Sequence, residues 1–344
     1  SCIALGRMIA PHSGAMRWPA AGLLAGLFYA ALPMGVFHER QALVDPQMVA
    51  FTSLSIVLAL RFGRRGEAAT ALGLALVIAA AYLTKILAIA YLGLPLAATV
   101  LLGWRRPYFW RKMLLALLAT ALAYGLVTLM YWLGEQNNVF PHPQHSPRLS
   151  NTVLFTLNQP ETWRQLGEDF AVFADFIPVY LGIPLMLLAT IAIGFAAREN
   201  RVREVLFLLV PALAFVLIPL LAKRPTGGNL FSPRYMLSNA VPIAALAAFS
   251  VEAIRGLIRP TRAAGWAAAV LATLVILPSL WFDAALIRDP VSAPLPRVDR
   301  QIQYGIFLDY AFDDLVDALL QASAESGGQP VYILGRGLEL PLLK

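Results

Sequence analysis

Residues Ala68–Thr84 read AATALGLALVIAAAYLT, residues 86–103 read ILAIAYLGLPLAATVLLG, and Lys85 stands alone between them as the only charge. A helix that crosses a bilayer needs about 20 mostly apolar residues, so each run is about one crossing long and Lys85 marks the turn. Working outward, comparable runs occupy 18–37 and 46–62 on one side and 113–133, 176–197, 205–221, 236–253 and 265–282 on the other. Residues 1–10 read as part of one more. The expectation is an all-α polytopic membrane protein with about nine full spans and a partial one within 1–282.

Composition excludes the alternatives. Hydrophobic residues make up 59% and charged residues 14%, against roughly 25% charged in soluble domains, and the mean hydropathy is +0.67. No water-soluble enzyme fold hides that much apolar surface behind so few charges, and disorder, collagen and a disulfide scaffold fail on the same grounds. The single cysteine, Cys2, rules out an intramolecular disulfide and makes a cysteine-built metal site improbable.

The net charge of +7 suggests nucleic acid until the basic residues are placed. Fifteen of the 27 fall in alternate short connections: Arg7 and Arg17; Arg61, Arg64 and Arg65; Arg105, Arg106, Arg111 and Lys112; Arg198, Arg201 and Arg203; Arg255, Arg259 and Arg262. Cytoplasmic loops collect Lys and Arg in this way. The charge is therefore topology, and no nucleic-acid partner is implied. The short basic loops leave no room for a nucleotide-binding domain.

The opposite connections, 38–45, the Lys85 turn, 134–175 and 222–235, then face outside, together with the tail 283–344, and chemistry is expected on that face. Within 134–175, Trp163, Leu166, Phe170 and Phe173 recur at helical spacing, as in a helix lying flat in the interface; a linker with chance periodicity reads the same way. In the tail, residues 311–324 are helical in pattern and 331–334 form a short apolar strand. That is the opening of a small α/β domain, and both ends of the chain read as truncated.

Asp45, followed by Pro46, is an N-cap with proline at the first helical position. A carboxylate at a membrane boundary also usually serves a polar purpose, such as holding a divalent metal, orienting a sugar hydroxyl or acting as a base. His38, Glu39 and Arg40 share its loop. Lys85 reads either as a lysine reaching for water or as a cation for a phosphate at headgroup depth. Lys223, Arg224 and Arg234 run against the charge rule, and Arg234, beside Tyr235, is placed where a guanidinium grips a phosphate with two hydrogen bonds. His142 and His145 lie among prolines, a poor setting for a metal pair, and Gly335-Arg336-Gly337 reads as a turn.

At these residues the sequence resembles a family. Arg40-Gln41-Ala42-Leu43-Val44-Asp45-Pro46 resembles the second acidic loop of GT-C-type membrane glycosyltransferases, in the bacterial subgroup similar to dolichyl-phosphate-mannose-protein mannosyltransferases and including the aminoarabinose transferases of lipid A. Leu83-Thr84-Lys85 is similar to that family's Leu-Thr-Lys motif, and Ser232-Pro233-Arg234-Tyr235-Met236-Leu237, with Pro242 beyond, to its Arg-Tyr motif. The resemblance implies a GT-C-type bundle in the bacterial inner membrane, with its site facing the periplasm. There a sugar passes, with inversion, from a polyprenyl-phosphate carrier to a protein, lipid A or glycan acceptor. It implies Lys85 and Arg234 at the carrier phosphate, with Arg40, Arg224 and Tyr235 lining the substrate site. Asp45 would hold a divalent metal or the acceptor, and no nucleotide cofactor is needed. The family's main catalytic carboxylate belongs to an outer loop ahead of residue 1, so the general base is expected outside this sequence and the piece alone is expected to be inactive. A transporter or flippase for lipid-linked or anionic cargo is the second reading, and a non-catalytic scaffold the third.

Overall fold

The computed structural model describes residues 1–10, 19–39, 45–105, 107–137, 160–221, 236–258, 261–289, 293–296, 299 and 321. They fall in two compact units, Ser1–Pro294 and Leu295–Lys344. The second unit has few described residues, among them a turn in which the Asp299 amide donates to the Pro296 carbonyl at 2.9 Å. The expected small α/β domain lies outside the described residues.

The first unit is helical, and among the described residues it contains no strand. Its helices are α1 (Cys2–Ile9), α2 (Pro19–Ala30), α3 (Pro33–Glu39), α4 (Asp45–Arg65), α5 (Ala68–Thr84), α6 (Leu94–Gly103), α7 (Phe109–Gln136), α8 (Pro160–Tyr180), α9 (Ile183–Arg198), α10 (Val202–Leu221), α11 (Leu237–Leu257) and α12 (Thr261–Arg288), with a 3₁₀ segment Ile86–Gly93 between α5 and α6. Among the described residues each of the membrane-length apolar runs is mostly helical, and α5 has the bounds its composition gave.

Among the described residues, four helices are long and apolar enough to cross a membrane: Asp45–Arg65, Phe109–Gly134, Leu237–Leu257 and Arg262–Arg288. A fifth arises if Phe170–Tyr180 and Ile183–Arg198, bent by 103°, count as one. Four of the other runs are shortened or broken for local reasons. Run 18–37 breaks at Ala31 and Leu32 because the residue before Pro33 is pushed out of helical geometry. Run 86–103 opens as a 3₁₀ helix and becomes α-helical only around Pro95, at Leu94. Run 176–197 breaks at Gly182, whose φ of 75° only glycine adopts without strain, with Pro184 just beyond it. At 17 residues, α5 spans about 26 Å, short of the roughly 30 Å hydrocarbon core.

One helix organises the rest. Of the apolar 18-residue stretch within α11, 89% is buried, against 22% for that of α7 and 28% for that of α12. Its alanines, Ala240, Ala244, Ala245, Ala247, Ala248 and Ala253, let neighbours approach on every side, and α1, α2, α4, α9, α10 and α12 pack against it. Ser250 of α11 donates to the Leu188 carbonyl of α9 at 2.6 Å. A second group, α4 to α7, packs around α4 and α5. There Gly63 sits so close to α6 that a Cβ would lie 2.7 Å from the Ala98 carbonyl oxygen.

Candidate functional site

The two ends of the bundle differ in charge chemistry. At one end the connections of α4–α5, α6–α7 and α9–α10 converge. Glu204 accepts from Arg64 at 2.9 Å and Arg201 at 3.0 Å, and the same two guanidiniums donate to the carbonyls of Met8 and Ala10. Glu67 takes Arg61 at 3.1 Å and Arg65 at 3.5 Å. The Lys112 ammonium closes the end of α4 on the carbonyls of Gly63 and Arg64. Burial pushes the Glu204 carboxyl upward, but hydrogen bonding and charge from Arg64 and Arg201 outweigh it and hold it below its usual range. At Glu67 the Thr70 hydroxyl leads the same downward effect.

At the other end lies the Asp45–Lys85 ion pair, a buried one. The Lys85 ammonium donates to Asp45 Oδ1, with the carboxylate side chain 1% exposed and the lysine side chain 16% exposed. Each residue owes its place to a helix end. Asp45 stands in the first turn of α4, where the helix dipole favours a carboxylate. Lys85 follows the last residue of α5 in extended geometry, its amide still donating to the Ala81 carbonyl and its own carbonyl accepting from Ala88. Residues 40 positions apart in sequence thus share one buried charge pair. Asp45 therefore both opens α4 and accepts from an ammonium at the end of α5.

Two turns further along α4, Thr52 Oγ1 lies 3.1 Å from Ser238 Oγ, in the first turn of α11. The helix that follows the Arg-Tyr motif therefore starts against the same face of α4 that carries Asp45. Arg40, Arg224, Arg234 and Tyr235, with Lys223, His142, His145 and the turn at Gly335–Gly337, lie outside the described residues, as do the side chains of Trp163 and Leu166. Residues 163–173, expected as an interfacial helix, form part of α8, whose described rings meet in series at tilted or edge-on angles: Phe170 and Phe173 at 6.3 Å, Phe173 and Phe176 at 5.1 Å, and Phe176 and Tyr180 at 6.5 Å.

Two polar residues at this end lie deeper than their sequence context suggests. His38, in the last turn of α3, is fully buried with its ring 4.9 Å from Phe37 and 5.3 Å from Tyr180. Asp283 was assigned to the tail, but α12 runs on to Arg288 and buries it to 6% exposure beside Phe282, whose ring meets Tyr180 at 6.2 Å. Asp283 Oδ1 accepts no hydrogen bond from the described residues. The signal available in sequence was a lone acid just past an apolar run, and a helix end cannot be fixed to within a turn by composition.

Among the described residues no group of three or more His, Cys, Asp or Glu is placed to hold a metal ion. With its carboxylate already committed to an ammonium, Asp45 acts here as a counter-ion. No family model, no curated protein and no solved structure matches the chain.

Proposed function

We propose that the protein is a membrane glycosyltransferase that moves a sugar from a polyprenyl-phosphate carrier to an acceptor, with inversion, at the Asp45–Lys85 end of the bundle. The observation that carries the reading is the buried ion pair itself. A lysine held at a helix junction, with a carboxylate as its resting partner, is a cation prepared for a phosphate at headgroup depth.

In the proposed reaction the acceptor nucleophile, passing any proton it carries to a carboxylate base, attacks the anomeric carbon from the face opposite the phosphate. The bond from that carbon to the phosphate oxygen breaks, and the electron pair leaves with the polyprenyl phosphate. Charge grows on the phosphate as the bond breaks, and a fixed ammonium beside it lowers the barrier. Lys85 supplies that charge, and Asp45 holds the ammonium in place. Arg234 and Arg224 extend the phosphate site, while Arg40 and Tyr235 contact the substrate. Since the carrier phosphate activates the sugar, the reaction needs no nucleotide. A divalent metal enters only if Asp45 exchanges its ammonium partner for one. The acceptor is a protein, lipid A or another glycan.

The topology that goes with this reading has about nine crossings and a partial one. It places the paired-arginine end in the cytoplasm and the Asp45 end on the periplasmic side of a bacterial inner membrane. The charge rule supports this orientation, since Arg61, Arg64, Arg65, Lys112, Arg201 and Arg203 share one end.

Transport of lipid-linked or anionic cargo is the second reading, favoured by the helix breaks at Pro33, 86–93 and Gly182, because transporters build their sites on discontinuous helices. One reconstitution separates the two. Proteoliposomes holding the protein expressed from its gene are given labelled polyprenyl-phosphate sugar and a lipid acceptor. The expected result is labelled acceptor that depends on Lys85. Movement of label between leaflets with no labelled acceptor would replace the transferase reading with the transport one.

A further inference from the structure

The arginine end of the bundle holds two populations of cations. Arg61, Arg64, Arg65 and Arg201 are all engaged by Glu67 or Glu204. Arg105, Arg111 and Arg203 are exposed, and among the described residues none of them forms an ion pair. These three belong to one patch. Arg105 is in the α6–α7 connection and Arg111 in the first turn of α7, while Arg203 of α10 donates to the Trp104 carbonyl at 3.2 Å, which brings it to the same turn.

The aromatic residues around them are exposed as well: Trp104 50%, Tyr108 75% and Trp110 79%. Phe109 packs edge-on against Trp104 at 5.3 Å and against Trp110 at 5.3 Å, a continuous row along the turn. The described acids of this end do not face the patch openly: Glu67, Glu204 and Glu252 are in ion pairs with other arginines, and Glu199 is buried. The turn is also fixed in position: Lys112, buried one residue after Arg111, is tied to the carbonyls of Gly63 and Arg64.

We propose that Arg105, Arg111 and Arg203, framed by Trp104, Tyr108 and Trp110, form a binding site for the headgroup of an anionic phospholipid of the bilayer. Tryptophan and tyrosine settle at headgroup level because one edge of the ring is apolar and the other polar. Guanidiniums with no internal carboxylate have a lipid phosphate as their complementary partner at that depth. Arg61, Arg64, Arg65 and Arg201 of the same end already hold Glu67 or Glu204, so the cations with no ion pair among the described residues are the ones left to meet a lipid. The inference does not depend on the proposed transfer chemistry, and it concerns the opposite end of the bundle.

The test uses the full chain purified into nanodiscs of mixed phosphatidylglycerol and phosphatidylcholine, with native mass spectrometry counting the lipids that stay bound. Each surface cation contributes on the order of 1 kcal/mol toward anionic lipid. Three of them therefore amount to roughly a hundredfold preference for phosphatidylglycerol, at about 1.4 kcal/mol per tenfold. R105Q/R111Q/R203Q is expected to abolish that preference with helix content unchanged by circular dichroism. R105K/R111K/R203K is expected to keep most of it, and R61Q/R65Q, which removes paired cations from the same end, to leave it intact. Quenching of tryptophan fluorescence by brominated phosphatidylglycerol should fall in the first variant alone. Equal retention of the two lipids by the unaltered protein would overturn the site. So would an equal loss in R61Q/R65Q, since the effect would then be net charge rather than this patch.

Discussion

Removing either member of the Asp45–Lys85 pair should have unequal costs, and the inequality follows from burial. Lys85→Ala leaves Asp45, 1% exposed, as a buried carboxylate with its ion partner gone. Breaking a buried pair from one side costs about 3–5 kcal/mol. Asp45→Asn leaves the lysine, which is 16% exposed on a flexible stem and can turn toward water; the loss is then about 1.5–3 kcal/mol, the worth of a hydrogen bond to a charged group. Replacing both, in D45N/K85M, leaves neither charge stranded and should return stability to within about 1 kcal/mol of the starting protein, as neutral replacements of buried pairs often do. The assay is SDS-driven unfolding in mixed micelles, followed by helical circular dichroism, on the two single variants and the double variant. A double variant that loses the sum of the two single losses would refute the reasoning, as would Asp45→Asn proving the costlier single change.

Other expectations follow from particular contacts. Gly63→Ala forces a Cβ to within 2.7 Å of the Ala98 carbonyl oxygen and should cost about 1–3 kcal/mol in the same unfolding assay, because backbone is the neighbour and cannot swing aside. Ser250→Ala removes the α11–α9 hydrogen bond and should cost about 0.5–1.5 kcal/mol, the net worth of one such bond, because the Leu188 carbonyl keeps its place in the α9 helix. Glu204 lies ahead of the apolar run 205–221, and its carboxyl is held below its ordinary value of 4.5. Its contribution is therefore complete above that value and lost as pH falls through the lower, folded-state value; Glu204→Gln should flatten the acid limb of a stability–pH curve and leave its neutral region nearly level. Asp283→Asn should hold or raise stability, because no described residue donates to Oδ1, and a simultaneous drop in transfer would mark the carboxylate as functional.

The helices were legible because hydrophobic runs and their basic ends are local properties. Residues Ala68–Thr84 between Glu67 and Lys85 leave no other reading, and the helix has those bounds. Where the helices break was legible only in part. Pro33 and Pro184 announce breaks, but whether a proline kinks a span or ends a helix depends on what packs against it, as Pro242 inside α11 and Pro278 inside α12 show by leaving theirs continuous. The central position of α11 rests on its alanines, which composition records as mild hydrophobes and packing uses as room for neighbours.

The site was legible as a set of residue types and not as a set of distances. Asp45 and Lys85 were each singled out as a possible anion handler or metal holder. That each is the other's partner is a tertiary fact, set by the packing of α4 on α5, and no spacing rule contains it. Thr52 and Ser238, which bring α11 to the same face, are ordinary hydroxyl residues in sequence. Asp283 was misplaced because α12 continues past the end of its apolar run, with Phe282 packed on Tyr180 and the acid drawn in behind it.

The most direct test of the proposed phosphate role is binding of a long-chain polyprenyl phosphate to the unaltered protein and to D45N/K85M, the variant that removes the ammonium without stranding a charge. Loss of a charge-assisted contact worth about 1.5–3 kcal/mol corresponds to roughly 10- to 150-fold weaker binding. That weakening, in a variant that unfolds at the same SDS concentration as the unaltered protein, is the expected result. Equal affinity in the two proteins would contradict it and leave the buried pair as a structural link between α4 and α5.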